Sequence, residues 1–407
     1  MPKRIALVGN MNNSFFAITR HLRGLGYDAH LFYFPIAERF QPKADTFSLD
    51  YTTYTHEVTW MKNGLANVPE EKVREQLNGF DFYIGQGEEA AIAYSCGFNM
   101  DVYYPYGSDV YKYAYLPQEY SMKAKLFGRF RKGDRKITSA HIKKGLLSRY
   151  IKGAIVDATY LLADYTNEDF EKKLKGLGYK GEYHHVPMPF IYLEEYESVT
   201  DWSNADVHWR SVVNKIRKEN DFILLYHGRQ EWKTYNNEFT LKNTHHVIIG
   251  FANYVKKRPE VKATLLMVEY GSDTEHSKEL VAELGIEDKV KWLPSMYRKD
   301  LMFVIKNVDV CCGEFGRSYL TFGTVIEAMQ MKKPVIHYRD DSLYVDKYSS
   351  LYPLLNAREP DQIEAAIARA VSDPETTKKI GEEASEWVNT NFIQKPVSFL
   401  QSLIEKK

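Results

Sequence analysis

The chain has 407 residues, with 54 Lys and Arg against 54 Asp and Glu. That length exceeds what one hydrophobic core usually serves and predicts two domains of roughly 200 residues each with a cleft between them; the balanced charge excludes a general polyanion binder or an acidic tail protein. Three cysteines, Cys96 and the neighbours Cys311 and Cys312, exclude a secreted disulfide framework, and no apolar run approaches the roughly 20 residues that span a bilayer, so a protein of the reducing cytosol is expected.

The opening MPKRIALVGN is too short in its apolar part for a signal peptide and lacks a cleavage region. It continues as RIALVGNMNNSFFAITRHLRGLGYDAHLFYF: a buried strand from Ile5 to Val8, a turn rich in Gly and Asn, an amphipathic helix capped by Gly26, and a second strand. That is a βαβ unit. DFYIG (81–85), DVYYP (101–105) and ATYLLA (158–163) repeat the pattern, and HHVPMP (184–189) closes the first half. Residues 190–220 are charged and aromatic without a clear strand, which predicts a connector.

The same grammar restarts at FILLYHG (222–228). A helix over His245–Lys257, the strand TLLMV (264–268), a helix over 275–284, VKWLP (290–294), another helix and VDVCC (308–312) follow. Helices over 360–371 and 375–387 come next, and a last segment, 393–407, is expected to pack back on the first domain. Alternating strands and helices predict parallel sheets, so the expected architecture is α/β with two Rossmann-like doubly wound domains, 1–196 and 197–392. Ligands then belong at the carboxyl ends of the strands. The 30 tyrosines suit either polar clefts and carbohydrate sites or ordinary packing.

The phrase GTVIEAMQMKKPVI, preceded by YHGR, LKNTHHVIIGFANYV, LLMVEYG and LGIEDKVKWLPSM in that order, resembles the C-terminal donor domain of glycosyltransferase family 4, which has the two-domain GT-B fold. The resemblance covers most of residues 222–390. It implies a retaining glycosyltransferase that moves a sugar from a nucleoside-diphosphate sugar to a hydroxyl of a glycan or lipid-linked acceptor. The nucleotide sugar is a substrate, and no dissociable cofactor is implied.

Charge grows on the diphosphate as the glycosidic bond breaks, so such a site needs fixed cations and backbone N–H groups more than a nucleophile. Arg229, after Gly228 in YHGR, and Lys242 fit that role. Charge-assisted hydrogen bonds contribute roughly 1.5–3 kcal/mol each and a helix N-terminus about 0.3–1, so the cations should dominate. The stretch between them, QEWKTYNNEFT, is longer than in the family, which makes Lys233 a competitor for Lys242. The resemblance assigns Glu327 to the ribose hydroxyls, and the amides of Phe322, Gly323 and Thr324 at the helix start to phosphate.

The family usually has an earlier glutamate near the donor sugar, and Tyr319 occupies that position here. Glu314 is the candidate replacement, with Phe315 and Gly316 supplying backbone contacts to the sugar. The nucleobase is expected by WLPSM, at Pro294 and Met296, unless that turn only packs on its own domain. Gly271 follows Glu269 and Tyr270 at the neighbouring strand end and grants close backbone approach.

In the first half, GNMNNSFF lacks the GxGxxG fingerprint. It presents Gly9, Asn12 and Asn13 to the acceptor or the donor diphosphate, or is a structural turn with Asn caps. YYPYGSDVYKY (103–113) resembles the family's His-Gly-Ser-Asp turn, with Tyr106 in place of histidine. A tyrosine, with a reference pKa of about 10, would position rather than titrate. Asp109 is the expected acceptor-side carboxylate, or else a helix N-cap. IGQGEE (84–89) is another strand-to-helix turn suited to the acceptor side.

Residues 121–152 hold eleven Lys and Arg against one acidic residue, Asp134. An anionic membrane surface, a phosphate-bearing acceptor or a solvated helical face each fit; nucleic acid fits least, because no recognition module accompanies the charge. The expected location is therefore cytoplasmic, with peripheral contact at the inner membrane face as an option. No metal is expected, since His245 and His246 are adjacent and HxxxH and CxxC spacings are missing. Two rival readings remain: a sugar-nucleotide or glycan-binding protein that has lost its chemistry, and an oxidoreductase, which lacks its glycine fingerprint.

Overall fold

The computed structural model describes residues 2–35, 38–62, 67–115, 135–164, 168–197, 207–234, 240–320 and 322–407, excepting the side chains of 135–144, 168, 207 and 208. The chain divides into two units. The first comprises Met1–Tyr192 together with Phe392–Lys407, and the second Leu193–Asn391.

The first unit is built on a seven-stranded sheet of β1 (Arg4–Val8), β2 (Asp28–Tyr33), β3 (Thr55–Glu57), β4 (Phe82–Gly85), β5 (Val102–Tyr103), β6 (Tyr160–Ala163) and β7 (Glu182–His185), in the order β3-β2-β1-β4-β5-β6-β7. Every pairing is parallel. β1 shows why its sequence forms a central strand. Ile5 and Leu7 pack into one hydrophobic cluster and Ala6 and Val8 into another, so alternate side chains feed cores on both faces, as a strand covered on both sides requires. The helix Lys395–Lys406 closes one of these cores: Leu400, Leu403 and Ile404 lie against Ile5, Leu7 and Phe15, and Lys3 Nζ donates to the Ile404 carbonyl at 2.7 Å.

The second unit holds a six-stranded parallel sheet of β8 (Phe222–Tyr226), β9 (Ala263–Glu269), β10 (Val290–Pro294), β11 (Val310–Cys312), β12 (Val335–His337) and β13 (Leu355–Asn356), in the order β10-β9-β8-β11-β12-β13. All five residues of β8 are buried. In both sheets the order reverses beside the first strand of the unit, between β1 and β4 and between β8 and β11. Those reversals are the topological switch points at which doubly wound sheets open a crevice beyond their carboxyl ends.

The expected connector at 190–220 is more structured than its composition suggests, with helices at Glu194–Glu197 and Val207–Glu219. Of the basic segment, residues 121–134 lie outside the described residues, and 135–152 fall in the helix Arg135–Val156. Among the described residues no helix is long and apolar enough to cross a membrane.

Candidate active site

The switch point of the second sheet gathers most of the residues expected at a donor site. β8 runs out into His227, Gly228 and Arg229, and β11 into Gly313 and Glu314. Lys242, just before the helix Thr244–Lys257, is 7% exposed and its Nζ lies 2.5 Å from Glu314 Oε2. The ammonium also stands 4.9 Å from the centre of the Phe322 ring, a cation–π contact. Burial pushes the Glu314 carboxyl upward, against the pull of Lys242, Arg229 and Arg317. Lys242 is thus in direct contact with this carboxylate, and Arg229 and Arg317 add positive charge in its surroundings.

Arg229 is exposed, and its Nη1 donates to Glu231 Oε1 at 3.1 Å. Lys242 N donates to the Glu231 carbonyl at 2.7 Å, so Glu231 ties the two ends of the inserted stretch together. Lys233 is exposed, and its amide rather than its side chain is engaged: Asp273 accepts from Trp232 N at 2.6 Å, Lys233 N at 2.7 Å and Thr234 N at 3.1 Å, and also from Thr234 Oγ1. Burial would raise the Asp273 carboxyl, but these donors outweigh it and hold it well below the usual carboxylate range. Asp273 therefore fixes the path of 232–234. Asp273→Ala should lower stability by about 3 kcal/mol, since several charge-assisted hydrogen bonds vanish together; urea unfolding measures it.

Glu327 lies in the helix Gly323–Gln330 and is 8% exposed. Arg298 Nε donates to its Oε1 at 3.0 Å, and His227 Nε2 lies 3.2 Å from its Oε2. Burial pushes this carboxyl up, yet His227 and Arg298 prevail and its pKa ends below the ordinary value. A carboxylate has about four lone-pair sites, so two contacts leave acceptor capacity. Arg298 opens the helix Arg298–Lys306 that follows β10, whose last residue, Pro294, is exposed, and the turn between them carries Met296, half-buried. Trp292 instead packs on the sheet, beneath Lys278. At the helix start Gly323 is exposed and Thr324 Oγ1 is buried without a partner among the described residues. A Cβ on Gly228 would meet the Thr324 methyl at 3.7 Å, so the end of β8 and this helix start touch. Arg229, Lys242, Glu314 and Glu327 accordingly share one strand-end neighbourhood.

Several expected contacts are spent inside the protein. Gly9 donates its amide to the Phe32 carbonyl at 2.8 Å, and at φ +109° a Cβ there would lie 2.5 Å from the Gln86 carbonyl oxygen. It serves the meeting of β1 and β4, not a phosphate. Gly271 grants close approach, but to the backbone of Gln230, which a Cβ would meet at 2.3 Å. Phe315 is fully buried and its amide donates to the Lys242 carbonyl at 3.1 Å, while the Gly316 carbonyl accepts from Arg358 Nη2 at 3.1 Å. Phe315 is thus engaged inside the protein, whereas Gly316 is half-buried, with its carbonyl taken by Arg358.

Asp109 is corrected in the same way. It is fully buried and accepts from Gly107 N and Val110 N at 3.1 Å, Tyr103 Oη at 3.2 Å and Tyr106 N at 3.4 Å. Four donors fill a carboxylate, so it holds the turn under Tyr106 and offers nothing to an acceptor. Burial lifts its carboxyl to about 6 against these donors. Asp109→Ala would strand buried donors at a cost of about 1–3 kcal/mol each; a loss of at least about 3 kcal/mol is expected in thermal or urea unfolding. Asn12, exposed, and Asn13, buried, both take left-handed backbone, at φ 52° and 60°, and Asn13 Oδ1 accepts from Asn10 Nδ2 at 2.8 Å.

Sequence reasoning passed over His227, Arg298 and Asp273. One signal was available for Arg298: a cation in the first turn of a helix opposes the macrodipole and asks for a carboxylate partner. Among the described residues no group of three or more His, Cys, Asp or Glu could hold a metal ion.

Residues 214–387 match the family model described as glycosyl transferases group 1. Solved structures similar over nearly the whole chain include Anabaena HepE in complex with UDP-glucose, 14% identical with a TM-score of 0.57, covering 100% of this chain and 99% of that one. Sucrose-phosphate synthase from Thermosynechococcus elongatus is 16% identical with a TM-score of 0.57, covering 99% and 98%. A glycosyltransferase from Rickettsia africae is 13% identical with a TM-score of 0.58, covering 99% and 98%. No curated protein matches the chain. Two parallel Rossmann-like units define the GT-B fold, and the match to the glycosyl transferases group 1 model falls within the second.

Proposed function

We propose that the protein is a cytoplasmic, retaining glycosyltransferase of family 4, using a nucleoside-diphosphate sugar and delivering its sugar to a hydroxyl of a glycan or lipid-linked acceptor. The observation that carries this reading is the gathering of Arg229, Lys242, Glu314 and Glu327 at the switch point of the second sheet, within the segment that matches the group 1 glycosyl transferases. Arg229 and Lys242 stabilise the charge that develops on the leaving diphosphate, Glu327 takes the ribose hydroxyls, and Glu314 stands by the donor sugar in place of the family's earlier glutamate. The nucleobase lies by Pro294 and Met296. The basic stretch 121–152 offers peripheral contact with an anionic membrane face.

A thermal-shift screen of UDP-, GDP-, ADP- and TDP-sugars tests the donor, since a ligand at 100 times its Kd adds roughly 2.7 kcal/mol of stability. UDP-glucose, found bound to the structurally similar HepE, is the first probe. Stabilisation by one nucleotide sugar, nucleoside diphosphate release, and loss of that release in Arg229→Ala are expected. Release within about twofold of wild type in that variant overturns the role of Arg229. Product anomeric configuration by NMR tests retention.

One observation favours a second reading, a sugar-nucleotide-binding protein without chemistry: Lys242 is already neutralised by buried Glu314. Calorimetric donor binding without diphosphate release across an acceptor panel would select it.

A further inference from the structure

The Lys242–Glu314 contact is built from two separate parts of the second unit, and one residue outside it is bonded to both. Lys242 leads into the helix Thr244–Lys257, and Glu314 stands on the loop after β11. Arg358 lies between β13 and the helix Pro360–Ser372. Its Nη2 donates to the Gly316 carbonyl at 3.1 Å, and its guanidinium carbon stands 4.7 Å from the centre of the Tyr338 ring. Both contacts lead to Glu314: Gly316 belongs to the same loop, and Tyr338 N donates to the Glu314 carbonyl at 3.1 Å. The main chain of Arg358 leads to Lys242. Its carbonyl accepts from His246 Nδ1 at 2.7 Å, and His246 is in the first turn of the helix that Lys242 precedes. The Arg358 amide donates to Gln362 Oε1 at 2.9 Å, within the capping box of its own helix, which fixes the residue at its root. The two partners also meet directly. A Cβ on Gly316 would lie 2.2 Å from the Leu241 carbonyl oxygen, and Phe315 N donates to the Lys242 carbonyl at 3.1 Å.

We infer that Arg358 is a positioning residue, which sets the Lys242–Glu314 pair by holding the Glu314 loop with its guanidinium and the Lys242 helix with its carbonyl; that the pair acts on a nucleotide sugar rests on the glycosyltransferase reading. The residue type matters. A guanidinium is planar and rigid, so it can donate to a carbonyl and lie on a ring at the same time, whereas an ammonium on a flexible stem cannot hold both contacts in one plane. The fold itself gains little from the side chain, because Arg358 is 46% exposed there and Gly316 is half-buried; water replaces the lost donor when it is removed. What changes is the placement of the pair. A shift of about 1 Å in groups that stabilise a transition state can lower a rate by up to about 100-fold.

Arg358→Ala and Arg358→Lys in the full chain test this, with hydrogen exchange read by mass spectrometry and nucleoside diphosphate release from UDP-, GDP-, ADP- and TDP-glucose. In both variants the peptides that contain Phe315 and Tyr338 should exchange about tenfold faster, with an unfolding midpoint within about 2 °C of wild type. On the donor that wild type uses, kcat should fall about tenfold while KM stays within about twofold, since the pair works on charge that develops only in the transition state. Millimolar guanidinium should restore most of the rate to Arg358→Ala, which a general loosening of the fold would not allow. Unchanged exchange at both peptides, a loss carried by KM, or no recovery with guanidinium overturns the proposal. Faster exchange in the variants with no diphosphate released from any donor by wild type would keep Arg358 as the holder of the pair and remove the glycosyltransferase reading; release by wild type with unchanged exchange in the variants would do the reverse.

Discussion

Lys242→Met is expected to reduce nucleoside diphosphate release roughly 10- to 150-fold, and to destabilise the second unit as well. The first figure follows from losing one charge-assisted hydrogen bond of roughly 1.5–3 kcal/mol to the leaving group, at 1.36 kcal/mol per tenfold in rate. The second follows from the burial of the pair. Lys242 and Glu314 are 7% and 8% exposed, and breaking such a pair from one side typically costs about 3–5 kcal/mol, because a charge is left without its partner. The carboxyl of Glu314 is already pushed upward by burial, and losing the ammonium would push it further in the same direction. The double variant Lys242→Met/Glu314→Leu separates the two effects. Removing both charges should restore most of the stability, as replacing buried ion pairs by apolar side chains often does, while release stays low. Urea unfolding and a diphosphate-release assay on the three proteins decide it. Recovery of release in the double variant would mean that Lys242 serves only to neutralise Glu314.

Glu327→Gln should raise donor KM about tenfold or more and abolish discrimination against a 2′-deoxyribose donor. The carboxylate is positioned from both sides, by Arg298 Nε at 3.0 Å and by His227 Nε2 at 3.2 Å, so its orientation toward a diol is set before any ligand arrives, and an amide can accept through one oxygen only. Wild type should turn over whichever nucleotide sugar the thermal-shift screen selects faster than its 2′-deoxy analogue, and the variant should treat them alike. Stability follows pH in a defined direction. The folded carboxyl has a lowered pKa, so its contribution is present above the unfolded value of about 4.3 and is lost as pH falls through the folded one. The difference in unfolding free energy between wild type and Glu327→Gln should therefore shrink on acidification below about pH 4. A difference that persists there would place the effect in packing and not in the charge.

The strands that hold these groups were readable in the sequence for a simple reason. FILLY, ATLLMVE and RIALV are central parallel strands, buried on both faces, and such strands appear as apolar runs. The edge strand Thr55–Glu57 was not readable, being three polar residues whose only signal is pairing to β2. Within the site, Arg229, Lys242 and Glu314 were picked out through the resemblance to the family's donor domain, joined to the need of a leaving diphosphate for fixed cations. His227, Arg298 and Asp273 were not, because their roles exist only in three dimensions: Arg298 reaches a carboxylate 29 residues away, and Asp273 collects amides about 40 residues before it. The reverse error has the same origin. Gly9, Gly271 and Asp109 carry the residue types of ligand-binding turns, and only the coordinates reveal that neighbouring backbone had already claimed them.

The first unit is stitched from both ends of the chain, with Leu400, Leu403 and Ile404 completing the hydrophobic cluster around Ile5 and Leu7. During synthesis, β1 leaves the ribosome hundreds of residues before its last apolar cover exists, whereas everything the second unit needs is contiguous and arrives earlier. Until residues 395–406 emerge, the face of β1 that carries Ile5 and Leu7 lacks the cover of Leu400, Leu403 and Ile404, so the helix Lys395–Lys406 acts as a late clasp on the first sheet.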